Sequence, residues 1–463
     1  MLSSLKQIAF PRSALSVCLL TLIYLFVFFN FSTWKGEHVI VWDAYEYYLY
    51  LPSVFVHHNF NLEWAMPELH KIGAGFHWDF LSPTGKPVGR MSMGLALLYT
   101  PFFLMGHISA LISGSNANGF SSPYYFFMLL GTLVYATLGN MLLRKVLGRW
   151  FQDTTVALTL MALNLGSNLF YFVTTQPLIT HTANFFLFSA FLFLVIRWYQ
   201  RKDILTSLLL GHVAAMIILV RPTNAVGLLL FLVWEVKNLN ALGQRVIFLS
   251  RQWLNFLCMA LSAFLVFLPQ LIYWKMQTGQ WYYYSYGFLG AFYFDTPHLW
   301  DGLFSYRKGW LLYTPIMVFA LMGLLALKQY VKGAALWLAL ITALHFYVVV
   351  SFWCWWYGAG FGLRPMIDIY PLLALSLAAC IQWVREKKLL KQVAAPLFIV
   401  LLFINQFQTY QARKNVLHFD SVTKAYYWAN FLRMDKSEAT QHLLRAPDYF
   451  SAVKNEERYE TGE

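Results

Sequence analysis

Apolar runs of membrane-spanning length recur along this chain and limit what it can fold into more than any other feature. Segments 14 to 31, 123 to 143, 181 to 196 and 311 to 327 approach the ~20 apolar residues that an α-helix needs to cross a bilayer. Of the 463 residues 59% are hydrophobic and only 12% charged, about half the charged share of an ordinary soluble domain. A soluble core could not hide that much apolar surface. The chain therefore reads as an all-α polytopic membrane protein, with candidate helices near 14 to 31, 123 to 143, 153 to 173, 181 to 198, 204 to 220, 224 to 236, 252 to 273, 311 to 327, 333 to 352, 366 to 383 and 393 to 409.

Charge then orients the helices. Seventeen Lys and Arg fall in six segments: the N-terminus, 144 to 149, 197 to 202, 237 to 251, 328 to 332 and 385 to 391. The alternating loops at 174 to 180, 221 to 223, 274 to 310 and 353 to 365 hold only Arg221, Lys275, Arg307, Lys308 and Arg364. An excess of cations marks the cytoplasmic side, so the first set belongs there. The apolar run 91 to 113 must then leave and return on one side for Arg144 to stay with the other basic segments. Pro101 and His107 within it suit a re-entrant or interfacial segment, whereas a full span would breach the charge rule locally. The first run follows Lys6 and Arg12 without a small-residue cleavage site, which reads as a retained anchor. This divides the chain into a membrane domain, 1 to 409, with large outer loops at 32 to 90 and 274 to 310, and a polar tail, 410 to 463. The tail is expected to be a small extracytoplasmic appendage with a frayed end.

The net charge of +13 does not point to nucleic acid, because the basic residues are scattered between apolar runs instead of forming one stripe. Cys18, Cys258, Cys354 and Cys380 each stand alone in or beside an apolar run, without CxxC spacing, and suit membrane-core packing. His57, His58, His70, His77 and Asp79 share the first outer loop but lack HxxxH or HExxH spacing, so no zinc site is assigned.

Chemistry is sought in the outer loops. Asp43 and Glu46, in Val41 to Pro52 directly after the first helix, would share a face if that stretch is helical, where they could hold one proton or one divalent metal ion between them. The plainer reading is an interfacial helix whose Tyr47 and Tyr48 join an aromatic belt. Arg307 and Lys308, adjacent at a membrane edge, suit a lipid phosphate or else snorkel to the surface. Arg364 is a lone cation on the cation-poor side, after Trp353 to Gly362. Trp355 and Trp356 there could face sugar rings or lipid headgroups, and Gly358, Gly360 and Gly362 would let backbone pass close to a ligand. Asp368, four residues on, most simply pairs with Arg364. Arg221 lies between two short apolar runs, a functional candidate or a structural pair, and His181 at a helix start could cap it or touch substrate.

Together these segments resemble bacterial glycosyltransferases of the GT-C fold, the broad group holding protein O-mannosyltransferases and lipid A aminoarabinose transferases. The resemblance rests on Asp43 to Pro52, Gly94 to Phe103, Arg221 to Asn224, Tyr306 to Trp310 with Tyr313 to Pro315, and Phe361 to Pro365 with Tyr370-Pro371. It implies a GT-C-like bundle of about 11 to 12 transmembrane helices in a bacterial plasma membrane, with the site on the extracytoplasmic side. It also implies transfer of a sugar from a polyprenyl-phosphate donor to a glycan, lipid or protein acceptor. By the same resemblance Asp43 takes the role of catalytic or metal-binding carboxylate. Many members carry two adjacent acids here, whereas Ala44 follows Asp43 and the next acid is Glu46, which leaves metal dependence open. A polyprenyl phosphate is already a good leaving group, so one carboxylate base suffices, with Arg221, Arg307, Lys308 or Arg364 holding the developing phosphate dianion. The competing readings are a transporter or flippase of lipid-linked substrates, which predicts repeat symmetry and a midplane site, and a non-catalytic assembly subunit.

Overall fold

Backbone polar groups find no partner in lipid, so a chain this apolar crosses a bilayer only as helices or as a closed barrel. This chain takes the helical solution in a computed structural model that describes residues 10–36, 39–65 and 82–455, with 71% helix and no strand among them. Seven helical stretches among the described residues are long and apolar enough to span: α1 (Arg12–Phe31) continued to Lys35, α3 (Gly94–Ser113), α4 (Ser122–Leu147), α6 (Thr180–Arg201), α9 (Trp253–Thr278), α12 (Tyr370–Arg385) together with the 3₁₀ turn that precedes it from Arg364, and α13 (Lys388–Arg413). Five shorter apolar helices accompany them: α5 (Asp153–Leu165), α7 (Ile204–Val220), α8 (Ala225–Val233), α10 (Met317–Tyr330) and α11 (Ala335–Val350). Among the remaining short helices, α2 (Asp43–Tyr48) follows α1. Lys6, His70, His77, Asp79 and Glu456 to Arg458 lie outside the described residues.

Helix α12 is the hub. It packs on α5, α6 and α10, and every residue from Tyr370 to Ile381 is buried. Gly323 of α10 makes that contact close, since a β-carbon there would stand 1.9 Å from the Ser376 carbonyl. By contrast α13 starts at the periphery and turns inward only at its end, where Asn405, Gln408, Thr409 and Gln411 are buried.

The six basic segments gather at one end of the bundle. Arg144 Nε donates to Ser13 Oγ (2.8 Å), Arg385 Nη1 to Thr155 Oγ1 (2.6 Å), Trp198 Nε1 to Ser207 Oγ (2.9 Å) and Trp337 Nε1 to the Val236 carbonyl (2.7 Å). Tyr330 Oη donates to Glu386 (2.9 Å) and Trp150 meets Trp234, which closes the ring of contacts. The candidate site lies at the opposite end.

Helix α3 sharpens the reading of segment 91 to 113. Gly94 lies against Leu219 and Val220, where α7 ends, and Gly106 lies against Tyr124, where α4 begins. Between these points α3 runs alongside α4, with Phe102 against Gly131 and Tyr135 Oη donating to the Leu98 carbonyl, and Pro101 does not break it into two halves. Pro101 is on the exposed side of one continuous helix, where its missing N–H disturbs no packed neighbour.

Two expectations need correction. The tail does not hang as an appendage: Val416, Tyr426 and Asn430 are buried, and the segment packs over the loops at 305–310 and 353–365. Of the cysteines, Cys380 is buried in α12, but Cys18 is exposed on α1 and Cys354 packs among loop tryptophans.

Candidate functional site

Asp43 opens α2 at the site end of the bundle. Trp42 before it holds φ 52° and ψ −132°, a left-handed conformation that costs a tryptophan roughly 1–3 kcal/mol and persists only where its surroundings impose it. The Asp43 carboxylate accepts a hydrogen bond from Arg364 Nη2 at 2.8 Å, across 321 residues of sequence. The Asp43 side chain is 32% exposed and that of Arg364 10%, so the carboxylate remains within reach of a substrate.

Glu46 does share the helix with Asp43, yet it is committed elsewhere. Arg90 Nη2 donates to Glu46 Oε1 at 2.6 Å and Arg90 Nε to Oε2 at 3.2 Å, a two-pronged pair sealed from solvent. Burial pushes the Glu46 carboxyl up to about 7, against the downward pull of Arg90. Each carboxylate thus meets a guanidinium, with Asp43 also acting on Glu46 and Arg90 through space, and no group of three or more metal-ligand side chains forms among the described residues.

The Arg364–Asp368 pair expected from four-residue spacing does not form. Residues Arg364–Ile369 make a 3₁₀-helix, in which four residues turn the chain by about 120° beyond a full circle and separate the two side chains. Asp368 is fully buried and accepts instead from Asn184 Nδ2 (3.0 Å) and Asn224 Nδ2 (2.9 Å), with His181 Nδ1 at 2.7 Å and Arg221 Nε at 3.8 Å. Arg221 also lies over the Tyr357 ring, 5.0 Å from its centre. Tyr47 is buried within electrostatic reach of Arg221, Asp43 and Arg364, together with Tyr286, and desolvation holds its hydroxyl well above the ordinary range.

Four of the candidates are placed away from any open surface. Tyr48 is buried and donates to the Gly119 carbonyl, fastening α2 to the α3–α4 turn. His181 orients Asp368 and has no open face. Trp355 and Trp356 are not an open platform for sugars: both are buried, Trp355 stacked on His298 and Trp356 beneath Tyr449 of the tail.

Arg307 and Lys308 also turn from the site toward the tail. Arg307 donates to the carbonyls of Asp420 and Arg445, and Lys308 to those of Gly360 and Phe419. Burial lowers the Lys308 ammonium to about 7, although the Asp420 carboxylate favours its charge. His57 and His58 are exposed, and His57 stacks on Trp64.

Several members of the site escape sequence reasoning. Arg90 carries the same signal as Arg221 and Arg364, a cation next to an apolar helix on the cation-poor side. Asn184, Asn224 and the tail carry no local signal, because their partners lie 184, 144 and more than 100 residues away. No protein-family model matches the chain, and no curated protein matches it.

Proposed function

We propose that this protein is a membrane glycosyltransferase that moves a sugar from a polyprenyl-phosphate carrier to a hydroxyl or amine of a glycan, lipid or protein acceptor, in an inverting displacement with Asp43 as base. The observation that carries the proposal is Asp43 itself. It is the partly exposed carboxylate of the cluster, pinned by Arg364 at the end of an apolar bundle opposite the basic segments, with Tyr47 within electrostatic reach of both it and Arg221. By the charge rule that end is extracytoplasmic, and the membrane would be the plasma membrane of a bacterium.

In this scheme the acceptor oxygen or nitrogen forms a bond to the anomeric carbon as the bond from that carbon to the phosphate oxygen breaks. Asp43 takes the acceptor proton, and the polyprenyl phosphate leaves with both electrons of the broken bond. The leaving phosphate needs cations more than a proton. With Arg307 and Lys308 engaged by backbone carbonyls, that work falls to Arg221 and Arg364. Tyr47 and Tyr286 border the same space and offer hydroxyls to sugar or phosphate.

The test is sugar transfer by purified protein in lipid, with a panel of polyprenyl-phosphate sugars and membrane extract as acceptor, comparing wild type with Asp43→Asn. Transfer by wild type and its loss in a variant that melts normally supports the proposal. Failure of folded wild type to consume any donor of the panel overturns it and makes lipid flipping the next assay.

A further inference from the structure

Lys308 is 2% exposed, and its ammonium bridges two distant stretches of backbone, the Gly360 carbonyl in the loop that leads to Arg364 and the Phe419 carbonyl in the tail. That loop has little structure of its own. Tyr357, Gly358, Gly360 and Gly362 all hold positive φ, and a β-carbon on Gly360 would stand 3.7 Å from the Arg364 side chain. An irregular loop of this kind depends on outside anchors for its shape.

The tail is built to present its side of the anchor. Arg307 grips the Asp420 and Arg445 carbonyls, the Arg445 amide donates to the Ser421 carbonyl (3.0 Å), and Tyr449 Oη donates to Asp420 Oδ2 (2.9 Å). Tyr449 closes over Trp356, 5.4 Å between ring centres, and Cys354 is 6% exposed in the cluster underneath. A buried ammonium held by carbonyls is worth its desolvation only if the geometry it enforces matters.

We infer that Lys308 is a positioning residue that couples docking of the C-terminal tail to the shape of the glycine loop, and through it to the alignment of Arg364 with Asp43. The consequence for Arg364 and Asp43 rests on the proposed transferase reading, whereas the coupling itself does not.

The experiment is hydrogen exchange on the full-length protein in lipid nanodiscs, with peptide mapping of Cys354 alkylation by a membrane-impermeant maleimide. Lys308→Met keeps the length and apolar stem of the side chain and removes its donors. It is expected to speed exchange about tenfold or more both in 416–423 and in 357–364, and to raise Cys354 labelling similarly, from the loss of two charge-assisted hydrogen bonds. Lys308→Arg is expected to restore most of the protection. Faster exchange in the tail alone, with 357–364 as in wild type, overturns the coupling, as does no change in either.

If Lys308→Met does not fold, Tyr449→Phe loosens the tail from its own side and leaves Lys308 in place. It is expected to show a smaller rise in the same two segments, and no rise in 357–364 overturns the inference. None of these readouts needs sugar transfer, so failure of the transferase reading is seen separately. Where transfer is measurable, Lys308→Met lowers kcat with little change in donor KM. A raised KM with kcat intact would overturn the positioning of Arg364 against Asp43.

Discussion

Asp43 and Asp368 are both carboxylates drawn to an arginine at the same end of the bundle, yet their surroundings differ. Asp43 is 32% exposed and pairs with Arg364, whereas Asp368 is sealed and held by His181, Asn184 and Asn224, with Arg221 at 3.8 Å. A carboxylate with access to a ligand can take a proton from it. One whose oxygens are already spoken for can only hold helices and an arginine in place. The comparison separates chemistry from architecture within one small region.

Replacing each acid is the strongest way to break that separation. Asp43→Asn should lower transfer by about 10²–10⁴-fold while shifting stability by no more than about 1 kcal/mol, since a partly exposed pair adds little. Activity assays beside thermal melts in detergent check this, and a large loss of stability would make Asp43 architectural. Asp368→Ala should do the reverse, destabilising the fold by roughly 3–5 kcal/mol because it leaves buried donors and Arg221 uncompensated. A variant that melts like wild type would end the architectural reading of Asp368.

Smaller effects sharpen the contrast. Arg364→Gln should cut transfer by about 10²–10³-fold, as loss of one preorganised cation at the leaving phosphate, with near-normal melting. Equal transfer in variant and wild type would remove Arg364 from the chemistry. Glu46 supplies the pH test. Its folded-state pKa of about 7 exceeds the ordinary 4.5, so its contribution to stability is full below about 4.5 and is lost as pH rises through 7. Wild type should melt progressively lower over that window, and Glu46→Gln should lack that part of the slope. Identical slopes would place the titration elsewhere.

Legibility in the sequence followed the range of the interaction. Hydropathy and charge are local, so the helices and the gathering of the basic segments could be read from composition along the chain. Asp43, Arg221 and Arg364 could be picked out because a lone charge next to an apolar run is conspicuous. Partner choice was not legible. The i, i+4 rule paired Arg364 with Asp368 on the assumption of an α-helix, and the 3₁₀ turn after Leu363 sent them to different partners. Trp355 and Trp356 looked like sugar platforms because nothing nearby in sequence reveals that Tyr449 covers Trp356, and Arg307 and Lys308 looked like phosphate ligands for the same reason.

By itself, then, the sequence determined that this protein is a helical membrane protein with its basic segments on one side and a few conspicuous charges near the other. That follows from the transfer free energy of each residue, which is additive along the chain and needs no partner. Only the tertiary structure decided which carboxylate stays open, which is sealed, and that the tail packs over the loops around Lys308 and Trp356. Those outcomes depend on contacts between residues hundreds of positions apart, such as Asp43 with Arg364 and Lys308 with Phe419, and no local rule of spacing or composition encodes them.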